Sequence, residues 1–224
     1  MSLYFDWHWL PQLSRGLTVT VELTAACISL GAVLGILLAL ARLYGRHVLY
    51  WGASAYVQFF RGTPLLVQLF LIYYGLPTLG ISLSPFGAGL LAMGLNTAAY
   101  QAEYFRGAIQ AVKRGQTLAA LSLGMSRWQT IRYVILPQAL RLVLPAWSNE
   151  LIYMLKYSSI VYLVSLRDLM GVGRTIASRN FRFFEVFSVV ALIYLAIVLL
   201  ITFALRLVEA RIRVPGLGTT RGTV

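Results

Sequence analysis

The sequence predicts an all-α integral membrane protein with about five transmembrane helices in one domain over residues 1–224, on three observations. Of its residues 59% are hydrophobic and 12% charged, with mean hydropathy +0.75, whereas soluble domains are about a quarter charged. The apolar residues gather in runs near the ~20 that a helix needs to cross hydrocarbon. The basic residues, which set a net charge of +12, lie mostly between or beside those runs. In a soluble chain that charge would point to nucleic acid. Beside apolar runs it reads as membrane topology, and no nucleic-acid partner is expected.

The first span is read at 16–43, "GLTVTVELTAACISLGAVLGILLALARL". The second is 64–81, preceded by the aromatic-rich "VLYWGASAYVQFFRG", which suits the membrane interface. The third is 86–109, the fourth 142–166 and the fifth 186–207. Five spans put the termini on opposite sides. Arg42, Arg46, Arg61, Arg106, Lys113, Arg114, Arg127, Arg132 and Arg141 fall on one side, with Arg206, Arg211, Arg213 and Arg221 of the tail. Arg15, Arg167, Arg174, Arg179 and Arg182 fall on the other, partly offset by Asp6, Asp168 and Glu185. The positive-inside bias makes the first side cytoplasmic, so the N-terminus is expected outside and the C-terminus inside. The opening residues have no basic region before an apolar run, so no cleaved signal peptide is expected. Cys27 is the only cysteine and excludes an intrachain disulfide. His8 and His47 are isolated, which argues against a metal cluster.

The segment between spans three and four, residues 110–137, carries its own punctuation. Residues 108–122 favour a helix, Gly124 suits a left-handed stop, and Ser126 with Gln129 fits a capping box. Pro137 is expected to interrupt the pattern, since it lacks a backbone N–H. The result is two short helices joined at "LGMS". Chemistry alone leaves two readings open, an amphipathic connector on the membrane surface or a docking surface for a partner.

The stretch "GQTLAALSLGMSRWQTIRYVILPQALRLVLP" resembles the signature loop of bacterial ABC-importer permeases, with Ala119, Ala120, Gly124, Leu136 and Pro137 on motif positions and Val134 at the Ile position. "FRGTPLLVQLFLIYYGLP", "NTAAYQAEYFRGAIQAVKRGQ" and "NELIYMLKYSSIVYLVSLRDL" are similar to the polar amino-acid uptake branch, histidine, glutamine and arginine permeases among them. The resemblance runs from Gly16 to Gly216. It implies the type I importer permease architecture, with the 110–137 loop as a coupling helix seated in a cytoplasmic ATPase. Leu118, Ala119, Ala120, Gly124, Met125, Ser126 and Arg127 would then form the ATPase contact. It further implies a cytoplasmic ABC ATPase dimer that binds ATP and Mg, a second permease copy or paralogue, an extracytoplasmic amino-acid-binding protein, and residence in the bacterial inner membrane. Two positions depart from the pattern. The motif's Glu falls on Leu118, and Tyr157 stands where an acidic or polar residue is frequent.

Charged groups inside a bilayer are costly and point to function. Glu22, Glu103, Glu150 and Lys156 stand out. Asn96, Tyr100 and Glu103 share one helix face, as do Asn149, Tyr153 and Lys156, and Thr18, Glu22 and Ser29. These faces are candidates to line a substrate path. A zwitterion needs an anion for its ammonium (Glu22 or Glu150) and donors for its carboxylate (Asn149 or Lys156). Since acidic candidates outnumber basic ones, basic or amide-bearing amino acids are the expected cargo. Bland readings stand beside these: Glu103 pairing with Arg106 at i+3, and Lys156 as a structural partner of an acidic residue. Gly31 and Gly35 are read as close helix packing, and Trp7, Trp9, Trp51 and Trp147 mostly as interface anchors.

No phosphate-binding loop is present, for neither Lys113 nor Lys156 follows a glycine. No nucleophile, metal or heme motif is seen either. The chain is therefore expected to bind no cofactor and catalyse nothing itself. A gradient-driven carrier and a membrane-embedded enzyme are the rival readings, without an internal repeat or a catalytic constellation to favour them.

Overall fold

A computed structural model describes residues 9–212. The expectations resting on Asp6, Trp7, His8, Arg213 and Arg221 lie outside the described residues. Among the described residues the chain is helical, without strands. Helix α1 (Leu10–Tyr44) begins six residues before the expected first span, with Pro11 in its first turn, where a missing N–H costs nothing. Then come α2 (His47–Gly62) and α3 (Leu65–Phe70), which runs on through a π-turn and a 3-10 turn to Leu79. α4 is Pro85–Ala111, α5 Arg114–Ser122 and α6 Arg127–Gln129. α7 (Leu136–Tyr157), α8 (Leu169–Asn180) and α9 (Phe183–Ile212) complete the chain.

Helices α1 and α9 are each long and apolar enough to cross a membrane, and α2 with the α3 segment passes as a pair bent by 103°. α4 and α7 carry the buried polar residues, which dilutes their apolarity. They sit in the interior while α9 presents Leu192, Leu195, Leu199, Leu200 and Phe203 outward. The largest contact is between α1 and α4. It is close because Gly31 and Gly35 leave room for α4. A Cβ on Gly31 would lie 2.6 Å from Thr97 Cγ2, and one on Gly35 3.1 Å from the Ala102 backbone nitrogen.

Three apolar clusters stack along this core. Leu23, Cys27, Leu69, Met93, Met154 and Val161 form the middle, Phe105, Ile109, Ile135 and Val143 one end, and Leu13, Leu169, Ile176 and Val186 the other. Helix α8 escaped the sequence reading, because five of its twelve residues are polar or charged and its buried face is short. It starts where the buried Asp168 carboxylate accepts hydrogen bonds from the Gly171 and Met170 N–H groups. Thr20 Oγ1 accepts the Leu169 N–H and ties that start to α1.

The 110–137 segment follows its punctuation up to a point. Gly124 takes φ +80°. Met125 N–H donates to Ala120 O and Gly124 N–H to Leu121 O, a Schellman stop. Ser126 and Gln129 exchange both bonds of the capping box. Two expectations are corrected. The helix expected at 108–122 is split, since α4 ends at Ala111 and α5 begins at Arg114. Pro137 does not interrupt the second helix. A π-turn at Thr130–Ile135 widens the backbone just before it, which relieves the ring clash, and Gln138 Nε2 takes up the Val134 carbonyl at 2.8 Å. Helix therefore runs from Arg127 through Tyr157. Two anchors are corrected as well: Trp9 is buried in the α1–α8–α9 cluster, and Trp147 donates its indole N–H to Gln101 Oε1 at 3.0 Å.

Gly31→Leu is expected to destabilise the fold by about 1–3 kcal/mol through overpacking, lowering the thermal midpoint of the detergent-purified protein. Gly52→Leu, at a position with open space around it, should leave that midpoint unchanged.

Candidate functional site

The chain reverses direction between α2 and α3 over Thr63 and Pro64, both extended. Extension frees the carbonyls of Phe60 and Thr63 from helical partners, a cost that hydrocarbon does not forgive. Two buried amides meet it. Gln68 Nε2 donates to Phe60 O (2.9 Å), Thr63 O (3.0 Å) and Thr63 Oγ1 (2.7 Å). Asn96 Nδ2 donates to Phe60 O (3.1 Å) and to Gln68 Oε1 (3.0 Å). The bend is thus a braced feature of the interior, with α4 supplying half of the brace.

Below the bend opens a cleft of about 560 Å³. The bend residues Arg61 to Leu65 form its roof. Asn96, Tyr100 and Tyr104 of α4, at four-residue spacing, make one wall, and Glu150, Tyr153, Met154 and Tyr157 of α7 make the other. The Arg61 guanidinium lies over the Tyr100 ring at 5.3 Å, a cation–π contact that holds it at the roof. Glu150 is 4% exposed. Its Oε1 accepts from Thr97 Oγ1 at 2.7 Å and its Oε2 from Tyr104 at 3.1 Å.

The sequence candidates divide. Asn96, Tyr100 and Glu150 come together in the cleft. Glu103 does not line it. Its carboxylate is shared between Arg42 and Arg106, the latter at 2.6 Å, and so clamps α1 to α4 and keeps its own helix turn in order. The pairing with Arg106 therefore stands, and Arg42 joins it from the far helix. Asn149 lines a separate cleft of about 180 Å³ between α7 and α9. Lys156 faces a third, of about 390 Å³, with Met170, Phe187 and Tyr194, and its ammonium stands 4.7 Å over the Tyr153 ring rather than beside a carboxylate. Glu22 is exposed with Thr18 and Ser29 on an outward strip of α1.

Sequence reading missed Arg61, Tyr104, Thr97, Gln68 and Gln101. Arg61 was counted only for topology. The neutral polar residues passed as parts of apolar spans, although Thr97 and Gln101 at i and i+4 were a visible polar face.

The family model described as a binding-protein-dependent transport system inner membrane component matches residues 31–214. The chain belongs to that family. Among the curated members similar to this permease is the glutamine transport system permease protein GlnP of Escherichia coli (strain K12). It is 37% identical over 218 residues, 95% of this chain and 100% of its own. The arginine transport system permease protein ArtQ of Bacillus subtilis (strain 168) is 35% identical, over 91% of this chain and 94% of its own. A crystal structure of an amino acid ABC transporter with histidines matches with TM-score 0.86 at 40% identity, covering 93% of this chain and 99% of that one. The inward-facing MetNI methionine ABC transporter matches with TM-score 0.80 at 23% identity, a likeness of fold.

This permease carries at its 114–129 segment an exposed apolar surface: Leu118 (60% exposed), Leu121, Leu123 and Trp128. Ala119 and Arg127 are also exposed, Met125 is half-buried, and Ala120 is buried beneath them. At the position of the motif's acidic residue, Leu118 extends an apolar patch.

Gln68→Leu keeps the side-chain volume but orphans the Thr63 carbonyl and leaves Phe60 O with Asn96 alone. It is expected to cost about 1–3 kcal/mol, read as a lower thermal midpoint.

Proposed function

We propose that this permease forms the membrane path of an ATP-driven amino-acid importer and that the cleft beneath the 61–64 bend holds the amino acid in transit. The observation that carries the reading is the meeting of Arg61 and Glu150, opposite charges from distant parts of the chain, in one cleft. A guanidinium suits a carboxylate in planar, two-pronged fashion, and a buried carboxylate suits an ammonium. Asn96 and Tyr100 stand between them as orienting groups. The relatives named for glutamine and arginine transport support an amino acid as the cargo.

Energy comes from a cytoplasmic ATPase dimer, which holds ATP and Mg, while this chain supplies no ATP site. The Leu118–Trp128 patch is the surface offered to that ATPase. Its firm Schellman stop and capping box let the turn at Gly124 transmit force rather than yield. An extracytoplasmic binding protein delivers the amino acid on the side of α8. The N-terminus lies outside and the C-terminus in the cytoplasm, as the arginine distribution favours. Closure and opening of the ATPase would alternate the exposure of the cleft between the two sides. A second permease, a copy or a paralogue, would cover the Thr18–Glu22–Ser29 strip, since lipid is a costly neighbour for a carboxylate.

The test is amino-acid-stimulated ATP hydrolysis and uptake in liposomes containing this permease, its ATPase and the binding protein. Gly124→Val places a β-branched residue at φ +80°, a strain of about 1–3 kcal/mol. Stimulation is expected to be lost while the complex stays assembled on gel filtration. Uptake by the permease without an ATPase, driven by an ion gradient, would make it a carrier instead.

A further inference from the structure

The inference concerns the side chain of the cargo and rests on the cleft reading proposed above. We infer that the permeated amino acid carries an uncharged side chain, received by Tyr153, Met154 and Tyr157 of α7.

The cleft lining holds two charged residues, Arg61 and Glu150. The α-carboxylate and α-ammonium that every amino acid shares use both. Glu150 has little capacity beyond that, because each of its oxygens already accepts a side-chain hydroxyl. What remains for the variable group is the α7 wall. Tyr153 and Tyr157 stand one turn apart with rings stacked at 6.4 Å and 27°, each about half exposed, with Met154 beside them. This wall gives apolar area and two phenolic hydroxyls, and no carboxylate.

A tyrosine face can serve a cation without a carboxylate. At Tyr153 that capacity is taken: the Lys156 ammonium of the same helix stands 4.7 Å over the ring. A cargo guanidinium or ammonium would meet a like charge behind the wall and no counter-charge in front. An anionic side chain would compete with the α-carboxylate for Arg61. Neutral side chains, whether amide, thioether or aromatic, pay neither penalty.

The expectation of basic or amide-bearing cargo is therefore narrowed to its amide half. It had counted Glu22, Glu103 and Glu150 as acidic candidates. Glu22 is on the outward strip of α1, and Glu103 is held by Arg42 and Arg106. Tyr157 is the position on which the discrimination turns, for it lines the cleft at the far end of the α7 face from Glu150.

The experiment measures equilibrium binding of radiolabelled L-glutamine, L-methionine, L-phenylalanine, L-arginine and L-glutamate to the purified permease–ATPase complex without binding protein. The neutral probes are expected to bind, with arginine and glutamate about tenfold weaker or more, the consequence of a side-chain charge left without a partner in the cleft. Tyr157→Glu should raise arginine affinity about tenfold and lower that of methionine, while Tyr157→Phe should keep the wild-type order of preference. Arg61→Ala should abolish binding of every probe. If wild type binds arginine as tightly as glutamine and Arg61→Ala abolishes both, the side-chain inference is overturned and the cleft reading stands. If Arg61→Ala leaves all binding intact, the cleft reading itself is overturned.

Discussion

One fully buried amide holds three helices in register. Gln101 of α4 donates to the Ile28 carbonyl of α1 and to Thr97 Oγ1 one turn away, and accepts the Trp147 indole N–H of α7. Gly31 and Gly35 bring α1 directly against it, for a Cβ on either would collide with the Gln101 side chain. In hydrocarbon neither amide nor carbonyl can find water as an alternative partner, so a slip of α1 along α4 would cost the bond from Gln101 Nε2 to the Ile28 carbonyl. Thr97 is in turn shared with Glu150. The register set at the α1–α4 crossing thereby sets where the cleft carboxylate points.

The same economy shapes the bend. A helix that stops at Gly62 and restarts at Leu65 is affordable only with partners for its freed carbonyls, and Gln68 and Asn96 supply them. What the bend gains is placement of Arg61. Its guanidinium lies over the Tyr100 ring at the cleft. Polar groups in this protein thus fall into two sorts. The amides of Gln68, Asn96 and Gln101 are taken up by each other, by hydroxyls and by the backbone, and the two cleft charges are the groups that would meet a ligand.

Element existence was legible wherever a long apolar run or a strong cap stood in the sequence: α1, α4, α9, the Gly124 stop and the Ser126 capping box. The continuity from α6 to α7 was not, because proline signals a break and only the three-dimensional π-turn shows how the break is avoided. α8 was hidden by its polar composition. At the site, Asn96, Tyr100 and Glu150 were legible as intramembrane polar groups on shared faces. Arg61 was not, since its place in the cleft depends on the 103° bend between α2 and α3, and Tyr104 passed as part of an apolar span. Glu22, Asn149 and Lys156 show the opposite limit: spacing defines a helix face, and packing alone decides what the face meets.

The unbroken run of helix from Arg127 to Tyr157 has a consequence for how such proteins diverge. Arg127 and Trp128, at one end of the patch that would meet the ATPase, and the α7 wall that would meet the cargo's side chain belong to one continuous stretch. A substitution that shifts the π-turn before Pro137 rotates everything downstream, Glu150, Tyr153 and Tyr157 included. Changes at that end of the patch and in the α7 wall would therefore be coupled through the helix. A chimera joined within 130–145 would alter both properties, whereas one joined in the 3-10 turn at Ser158–Val164 would transfer them together.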